Sequence, residues 1–552
     1  MKSEKKFNGS YYTPNELTDF IIDYTIKKFN CKESINILEP SSGDGAFLRA
    51  ILDHEKIQCF KKTEITLVEK DANELQKALQ IHKKKYPKNI KIQAFNQDFL
   101  DFLNINTCKY SLIVGNPPYI KKNYLYSHQI EMCGKIHLEA GLSRNKIKNI
   151  WTAFVVGCVN FLSDDGIFAF VLPSEFLQVK FATEIRNFLY KEFERIEVFT
   201  FNQFLFECNG QETVLVIGYK KSDEKNVFFT DIQDIKDLKE MNFILKPNVS
   251  IHTTSTKWTH HFLSTDELDL IYKLKRNFML VNDYCTSKAG IVTAANNYFI
   301  VTEETVNEFG LQPFIKPIIQ RSIFVNGGVV FKREDFDLLV KSGKPSFLLS
   351  LEELKEEEIE KIGDYLNIGI KKGIDKRYKC LKRKRWFEVP NIGTPPGGFF
   401  FKRSHRYPKL FKNDTDVLVT DSAYKIEMKD NYSIDGFVYS FYNSLTIIFA
   451  ELEGRYYGGG VLELTPNEFK KLPLPYVEID SNKFNEFLKD SEANDDRDLL
   501  LNKNDRAILH SNNGINLGII NNLSTIRKKL MERRIRKSQK YPEIPIQNLK
   551  GS

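Results

Sequence analysis

Four short apolar runs within the first 115 residues each end at a polar residue or a glycine–proline break. Ile37-Leu38 stops at Glu39, and Ile65-Thr66-Leu67-Val68 stops at Glu69. Ile92 to Phe95 leads into Asn96-Gln97-Asp98, and Leu112-Ile113-Val114 stops at Gly115. Runs of this length, bounded by breaks, predict buried strands. Between them lie stretches of helical spacing. Leu17, Phe20, Ile21 and Tyr24 mark a helix over 15–30, a second starts near Ala46, and a third covers about 72–84. Further on, Ile150 to Phe161 predicts a helix and Ile167 to Leu172 a buried strand closed by Pro173. Val198-Phe199-Thr200-Phe201 and Thr213 to Tyr219 predict two more strands. Strands and helices in turn predict an α/β fold with an open, mainly parallel sheet, whose ligands sit at the carboxyl ends of the strands.

The residues at those ends carry chemistry. Asn116-Pro117-Pro118-Tyr119 follows the fourth strand through Gly115. Two prolines stiffen the loop, so a side-chain amide, a backbone carbonyl and an aromatic ring face one point. Two acceptors beside a flat ring suit an amino group on a planar, conjugated system, either an exocyclic base amine or a side-chain amide. After the first strand, Glu39-Pro40-Ser41-Ser42-Gly43-Asp44-Gly45 makes a glycine turn into a helix. Gly43 and Gly45 are expected to let the backbone pass close to a ligand. The third glycine of a dinucleotide fingerprint is missing, which disfavours NAD. Glu39 can meet the ammonium of an amino-acid-like cofactor, and Glu69 suits a ribose diol. Asp98 can accept from an adenine amine, with Phe99 stacked on the ring.

On these residues the chain resembles the adenine-N6 DNA methyltransferases of the gamma motif order, which use S-adenosylmethionine. Tyr12-Thr13-Pro14, the glycine loop and Asn116-Pro117-Pro118-Tyr119 stand in that family's sequence, and the specific motifs cover about the first 220 residues. The resemblance implies a Rossmann-like methyltransferase domain with a mixed, mainly parallel sheet, followed by an α+β target-recognition domain. The boundary is expected at 250/251. It also implies that Tyr12, Thr13, Pro14, Glu39, Pro40, Gly43, Gly45, Glu69, Asp98, Phe99 and Asn116 hold the cofactor. Asn116 and Pro117 would hold a flipped adenine's amine, with Pro118 and Tyr119 completing the motif. A base taken out of the stack needs an aromatic on each face, here Tyr119 and either Phe206 or Phe204.

Composition narrows the rest. A chain of 552 residues exceeds one ordinary core. Its net charge of +8 permits a polyanionic partner. No apolar stretch is long enough to span a membrane, and the eight cysteines include no C-x-x-C pair. Neither a metal site nor a disulfide framework is therefore expected. A reducing, prokaryotic cytoplasm is the expected compartment, with association to the nucleoid. Three basic clusters mark the C-terminal half: Lys376 to Phe387, Lys402 to Tyr407, and Arg527 to Lys537. From these, Arg377, Arg383, Arg385, Trp386, Arg403 and Arg406 are the candidate contacts to double-stranded DNA. Ile526 and Leu530 give the last cluster helical spacing. Asp421 to Ile426, Tyr456 to Gly460 and Leu472 to Pro475 resemble scaffold blocks of recognition domains. No convincing Asp…Glu-x-Lys nuclease constellation accompanies them. The expectation is therefore a monomeric modification enzyme, with any restriction endonuclease encoded separately. A protein (N5-glutamine) or RNA methyltransferase, and half of a bifunctional restriction–modification enzyme, stay open as alternatives.

Overall fold

The computed structural model describes residues 13–31, 33–81, 87–144, 147–202, 212–248, 257–325, 328–457, 459–493 and 497–536. The chain divides into two compact units, one built on residues up to Thr265, the other on Asp266–Tyr456 and Gly460–Ile535.

The first unit runs α1 (Asn15–Ile26), β1 (Ser34–Glu39), α2 (Ala46–Asp53), β2 (Lys62–Val68), α3 (Ala72–Ile81), β3 (Ile90–Phe95), α4 (Phe99–Ile105) and β4 (Tyr110–Gly115). It continues through α5 (Ser127–Glu139), α6 (Trp151–Asn160), β5 (Leu162–Pro173), α7 (Thr183–Glu192), β6 (Arg195–Phe201), β7 (Thr213–Tyr219), β8 (Asn226–Ile232) and β9 (Lys246–Pro247). The nine strands form one sheet in the order β3-β2-β1-β4-β5-β7-β6-β8-β9. Pairing is parallel from β3 to β5, and β7 enters antiparallel to both β5 and β6. Successive residues of a strand face opposite sides. Leu38, Ile113 and Phe168 therefore join a core with Trp151 and Phe154 of α6. Ile37, Leu112, Val114 and Ala169 join another with Leu17 and Ile21 of α1 and Phe47 of α2. Burial on both faces is why these strands appear in the sequence as unbroken apolar runs.

The expected strand over 167–172 starts earlier, at Leu162. Tyr110 pairs with Leu162, but Leu112 pairs with Ile167, so Ser163 to Gly166 are accommodated as a register shift. Pro173 lies inside the strand as its last residue, opposite Thr213, where a missing N–H is tolerated.

The second unit is α+β. Its strands are β10 (Cys285–Ala289), β11 (Ile300–Val301), β12 (Ile315–Ile319), β13 (Val330–Phe331), β14 (Phe347–Leu349), β15 (Gly398–Phe401), β16 (Arg403–Ser404), β17 (Lys409–Asn413), β18 (Leu418–Val419), β19 (Ala423–Met428), β20 (Arg455–Tyr457) and β21 (Val461–Glu463). They form the sheets β10-β19-β15-β17-β13, β11-β14-β12-β18 and β16-β21-β20. The largest centres on β15 (Gly398–Phe401), antiparallel to Lys409–Asn413 and Ala423–Met428. Phe399, Phe401 and Phe411 pack in its core. The helix expected from Ile526 and Leu530 runs from Leu517 to Arg536. Arg527, fully buried, is tied to Asp498 and to the Tyr407 hydroxyl at 3.1 Å. Arg534 makes a two-pronged pair with buried Glu451 at 2.7 and 2.9 Å. Among the described residues no helix is long and apolar enough to cross a membrane, and no group of His, Cys, Asp or Glu could hold a metal.

Candidate active site

The chain proceeds from β1 outward to β2 and β3, then returns to add β4 and β5 on the other side of β1. That reversal opens a crevice beyond the carboxyl ends of β1 and β4. Gly115 allows the two ends to approach closely. A Cβ there would lie 3.3 Å from Pro40 and 3.4 Å from Phe170.

The turn after β1 is held by its own backbone and by Glu69. Ser42 N–H donates to the Val68 carbonyl at 3.1 Å, and Gly45 N–H to the Ser42 carbonyl at 2.9 Å. Glu69 accepts from Gly43 N–H with one oxygen and from Asp71 N–H with the other, both at 2.9 Å. Gly43 and Gly45 have φ of +51° and +88°, which favours glycine. Their surroundings differ. A Cβ on Gly45 would lie 2.8 Å from Ala78 in α3, whereas one on Gly43 would meet nothing within 4 Å. The expectation that both glycines make way for a ligand is corrected: Gly45 makes way for a helix, and Gly43 alone borders open space.

Glu39 is 1% exposed, and its Oε2 has no hydrogen-bond partner among the described residues. Burial holds its carboxyl well above the usual carboxylate range, and the negative charges of Asp44 and Glu69 add to the effect. Asp44 is raised too, by burial and by Glu74. A buried carboxylate with one oxygen unpartnered, beside two other acids, is costly unless a cation joins it. This donor set fits a ligand carrying an ammonium and a sulfonium. Asp98 caps α4 by accepting from Leu100 N–H at 3.0 Å, and its second oxygen accepts from Gln129 Nε2 at 2.8 Å. Phe99 is 3% exposed, with its ring 4.7 Å from Phe154. Its ring is packed into the core and does not offer the open stacking face expected.

At the end of β4, the Asn116 amide donates to Thr13 Oγ1 at 3.2 Å and accepts from the Tyr119 hydroxyl at 2.8 Å. That hydroxyl also lies 3.0 Å from the Val171 carbonyl. Ser41 Oγ donates to the Asn116 carbonyl at 3.2 Å, joining the two loops. Pro117 is buried and Pro118 half-buried. Pro14 opens α1, its carbonyl accepting from Leu17 and Thr18. Thr13 thus meets the Asn-Pro-Pro-Tyr motif directly. Spacing alone does not signal this pairing across 103 positions, nor the contact of Gln129 with Asp98. Tyr12, Phe204 and Phe206 lie outside the described residues.

The basic candidates of the second unit separate into two groups. Arg383 donates to the Thr293 carbonyl at 2.7 Å and to that of Trp386 at 3.2 Å. Arg385 pairs with Glu388 at 2.6 Å and donates to the Leu354 carbonyl. Trp386 packs on Tyr298, over Gly369, whose missing side chain makes the room. These three, expected on DNA, are committed to packing within their own unit. Arg403 pairs with Glu463, and Arg406 with Asp498 at 3.7 Å. Arg377 is exposed and donates to the Ala294 carbonyl at 3.0 Å. It lines an open pocket of about 600 Å³ with Lys372, Lys379 and Asn296.

The strand order and these strand-end residues define the class: an S-adenosylmethionine-dependent methyltransferase. Two family models cover most of the chain. Residues 19–206 match the Eco57I restriction-modification methylase family, and residues 255–509 match the C-terminal domain of the Type II methyltransferase M.Eco57I. The chain is 24% identical to the Type II methyltransferase M.AccI of Acinetobacter calcoaceticus, over 85% of its own length and 86% of that protein's. It is 23% identical to M.BstVI of Geobacillus stearothermophilus, over 59% and 65%. In fold it is similar to the restriction-modification enzyme MmeI solved in complex with DNA (TM-score 0.53, 13% identity, all of this chain and 73% of that one). It is also similar to DrdV in a DNA complex (TM-score 0.51, 13% identity, 88% and 58%). The chain belongs to the DNA methyltransferases of restriction–modification systems.

Proposed function

We propose that this enzyme methylates the exocyclic N6 of an adenine flipped out of a specific site in duplex DNA. The observation that carries the reading is Asn116, whose side-chain amide is fixed by Thr13 and Tyr119 at the rim of the β1/β4 crevice. Its Oδ1 and the Pro117 carbonyl supply the two acceptors that an amino group requires. The Tyr119 hydroxyl has one proton and two acceptors in range. It can keep its bond to Val171 while the Asn116 oxygen turns to the substrate.

S-adenosylmethionine, when bound, supplies an activated methyl group. The chain's residues do the rest by placement. Glu39 faces the cationic amino-acid end, Glu69 the ribose, and Asp98 the purine amine. Pro40 and Gly43 complete that surface. Adenine N6 is a poor nucleophile because its lone pair is spread into the ring. Accepting both N–H bonds favours a pyramidal nitrogen and stabilises the positive charge that grows on it, the inverse of an oxyanion hole. Alignment supplies most of the remaining acceleration. Tyr119 stacks on one face of the base, and Phe206 or Phe204 on the other. The second unit reads the target, with Arg377, Arg403 and Arg406 as contacts. The enzyme acts as a monomer in the prokaryotic cytoplasm, alongside a separately encoded restriction endonuclease.

The test is tritiated-methyl transfer to unmethylated genomic DNA, with total RNA and a ribosomal release factor as parallel acceptors. We expect label on DNA alone, recovered as N6-methyladenine. Asn116→Ala should lower the rate at least 100-fold while leaving cofactor affinity within about twofold. Label recovered as N4-methylcytosine, or on protein or RNA, would overturn the substrate.

A further inference from the structure

Gln129 lies in the first turn of α5 and is 9% exposed. Its amide is used at both ends. Nε2 donates to Asp98 Oδ2 at 2.8 Å, and Oε1 accepts from the Tyr126 backbone N–H at 3.2 Å. One buried side chain thus runs from the carboxylate at the end of β3 to the segment that follows the Asn-Pro-Pro-Tyr motif.

That segment, Ile120 to Tyr126, has an unusual surface for its position. It continues directly from Tyr119 and is laced to a neighbouring loop. Lys122 N–H donates to the Lys148 carbonyl and Ile150 N–H to the Ile120 carbonyl, both at 2.9 Å. This pairing sets Lys122 opposite Lys148 in one basic patch, with exposed Lys121 next to it in the chain. Tyr124 and Tyr126 stand 61% and 79% exposed beside it. Cations with protruding aromatic rings suit phosphates and unstacked bases. The patch adjoins the motif that would receive the base.

We propose that Gln129 is a positioning residue coupling cofactor occupancy at Asp98 to the order of a DNA-gripping segment, Ile120–Tyr126. The inference rests on the assignment of Asp98 to the cofactor's purine and of DNA as substrate. Asp98 spends one oxygen on the Leu100 N–H. A donor arriving from a bound purine fixes the other oxygen in plane. That fixes Gln129 Nε2, and the rigid amide carries the constraint to Oε1 and the Tyr126 N–H. Coupling of this kind is reciprocal. A strand seated on the segment must strengthen cofactor binding by the same factor.

Hydrogen exchange followed by mass spectrometry tests this on the whole protein, with and without saturating S-adenosylhomocysteine. In the wild type, exchange should slow at the glycine loop 39–45 and also across 120–130, the latter by about fivefold or more. In Gln129→Met the glycine loop should still be protected, while the protection at 120–130 disappears. Gln129→Glu keeps an acceptor for Tyr126 but sets a second carboxylate against Asp98. It should behave like Gln129→Met, with weaker cofactor binding. Protection of the glycine loop without 120–130 in the wild type would overturn the inference, as would protection of 120–130 that survives in both variants. No protection at the glycine loop of the wild type would instead sink the cofactor assignment, and this inference with it.

Discussion

At the scale of single residues, Glu39 carries a consequence for pH. Its carboxyl is raised by burial and by Asp44 and Glu69, so the folded protein holds that proton more tightly than the unfolded chain. Between the ordinary carboxylate range and the raised value, the ligand-free fold loses stability as pH rises, because the unfolded state has already released the proton. A cationic ligand reverses the preference, since its ammonium favours the ionised acid. Cofactor binding must therefore expel a proton, and affinity must fall as pH drops through the raised value. Calorimetry of S-adenosylhomocysteine binding, repeated in buffers of different ionisation enthalpy, should detect that release. Glu39→Gln should abolish it and weaken binding about tenfold or more. Identical apparent enthalpies in all buffers would remove Glu39 from the cofactor's contacts. The sequence put Glu39 at this point because an apolar run ends on it. It could not show the unpaired oxygen, which depends on what the turn leaves unfilled.

At the scale of elements, the glycine turn separates two kinds of necessity. Gly45→Ala adds a left-handed penalty of about 1–2 kcal/mol to a collision with the backbone of Ala78. Gly43→Ala adds the penalty alone, since no atom lies within 4 Å. Thermal unfolding should show a drop of several degrees for Gly45→Ala and a clearly smaller one for Gly43→Ala. Equal losses would contradict the packing account. The strands from β1 to β4 were legible because burial on both faces leaves each as an apolar run with an abrupt polar end. The later elements were less so. The strand Asn226–Ile232 alternates too weakly, with Thr230 buried and Asp231 half-buried near its end. Helix α4 was hidden because Asp98-Phe99 reads equally well as ligand residues. In the fold Asp98 is also the cap, and Phe99 the first residue inside. A polar residue at a strand end can serve a helix and a ligand together, and spacing does not separate the two.

At the scale of the whole molecule, the net charge of +8 is not spread as the basic clusters suggest. Several of the most conspicuous arginines are internal struts. Arg527 and Arg534 are buried against Asp498 and Glu451, partners 29 and 83 positions away, and Arg383 and Arg385 hold loops. No local pattern reveals this, because a guanidinium seeking a phosphate and one seeking a distant carboxylate look alike in sequence. The lysines of the first cluster, Lys376, Lys379, Lys382 and Lys384, are exposed. They form a strongly hydrated cationic surface suited to phosphates. Changing these four to Gln should weaken DNA binding for all sequences alike. It should lower the salt slope of log K by about 1 for each lysine that meets a phosphate. Arg383→Ala should instead cost about 1–3 kcal/mol of stability and leave that slope unchanged. Binding titrations over a range of salt, paired with thermal unfolding, decide between the roles. A reduced slope for Arg383→Ala at unaltered stability would return that arginine to the DNA. An unchanged slope for the lysine variant would place the polyanion contact elsewhere, with the Lys122–Lys148 patch of the first unit as the next surface to neutralise.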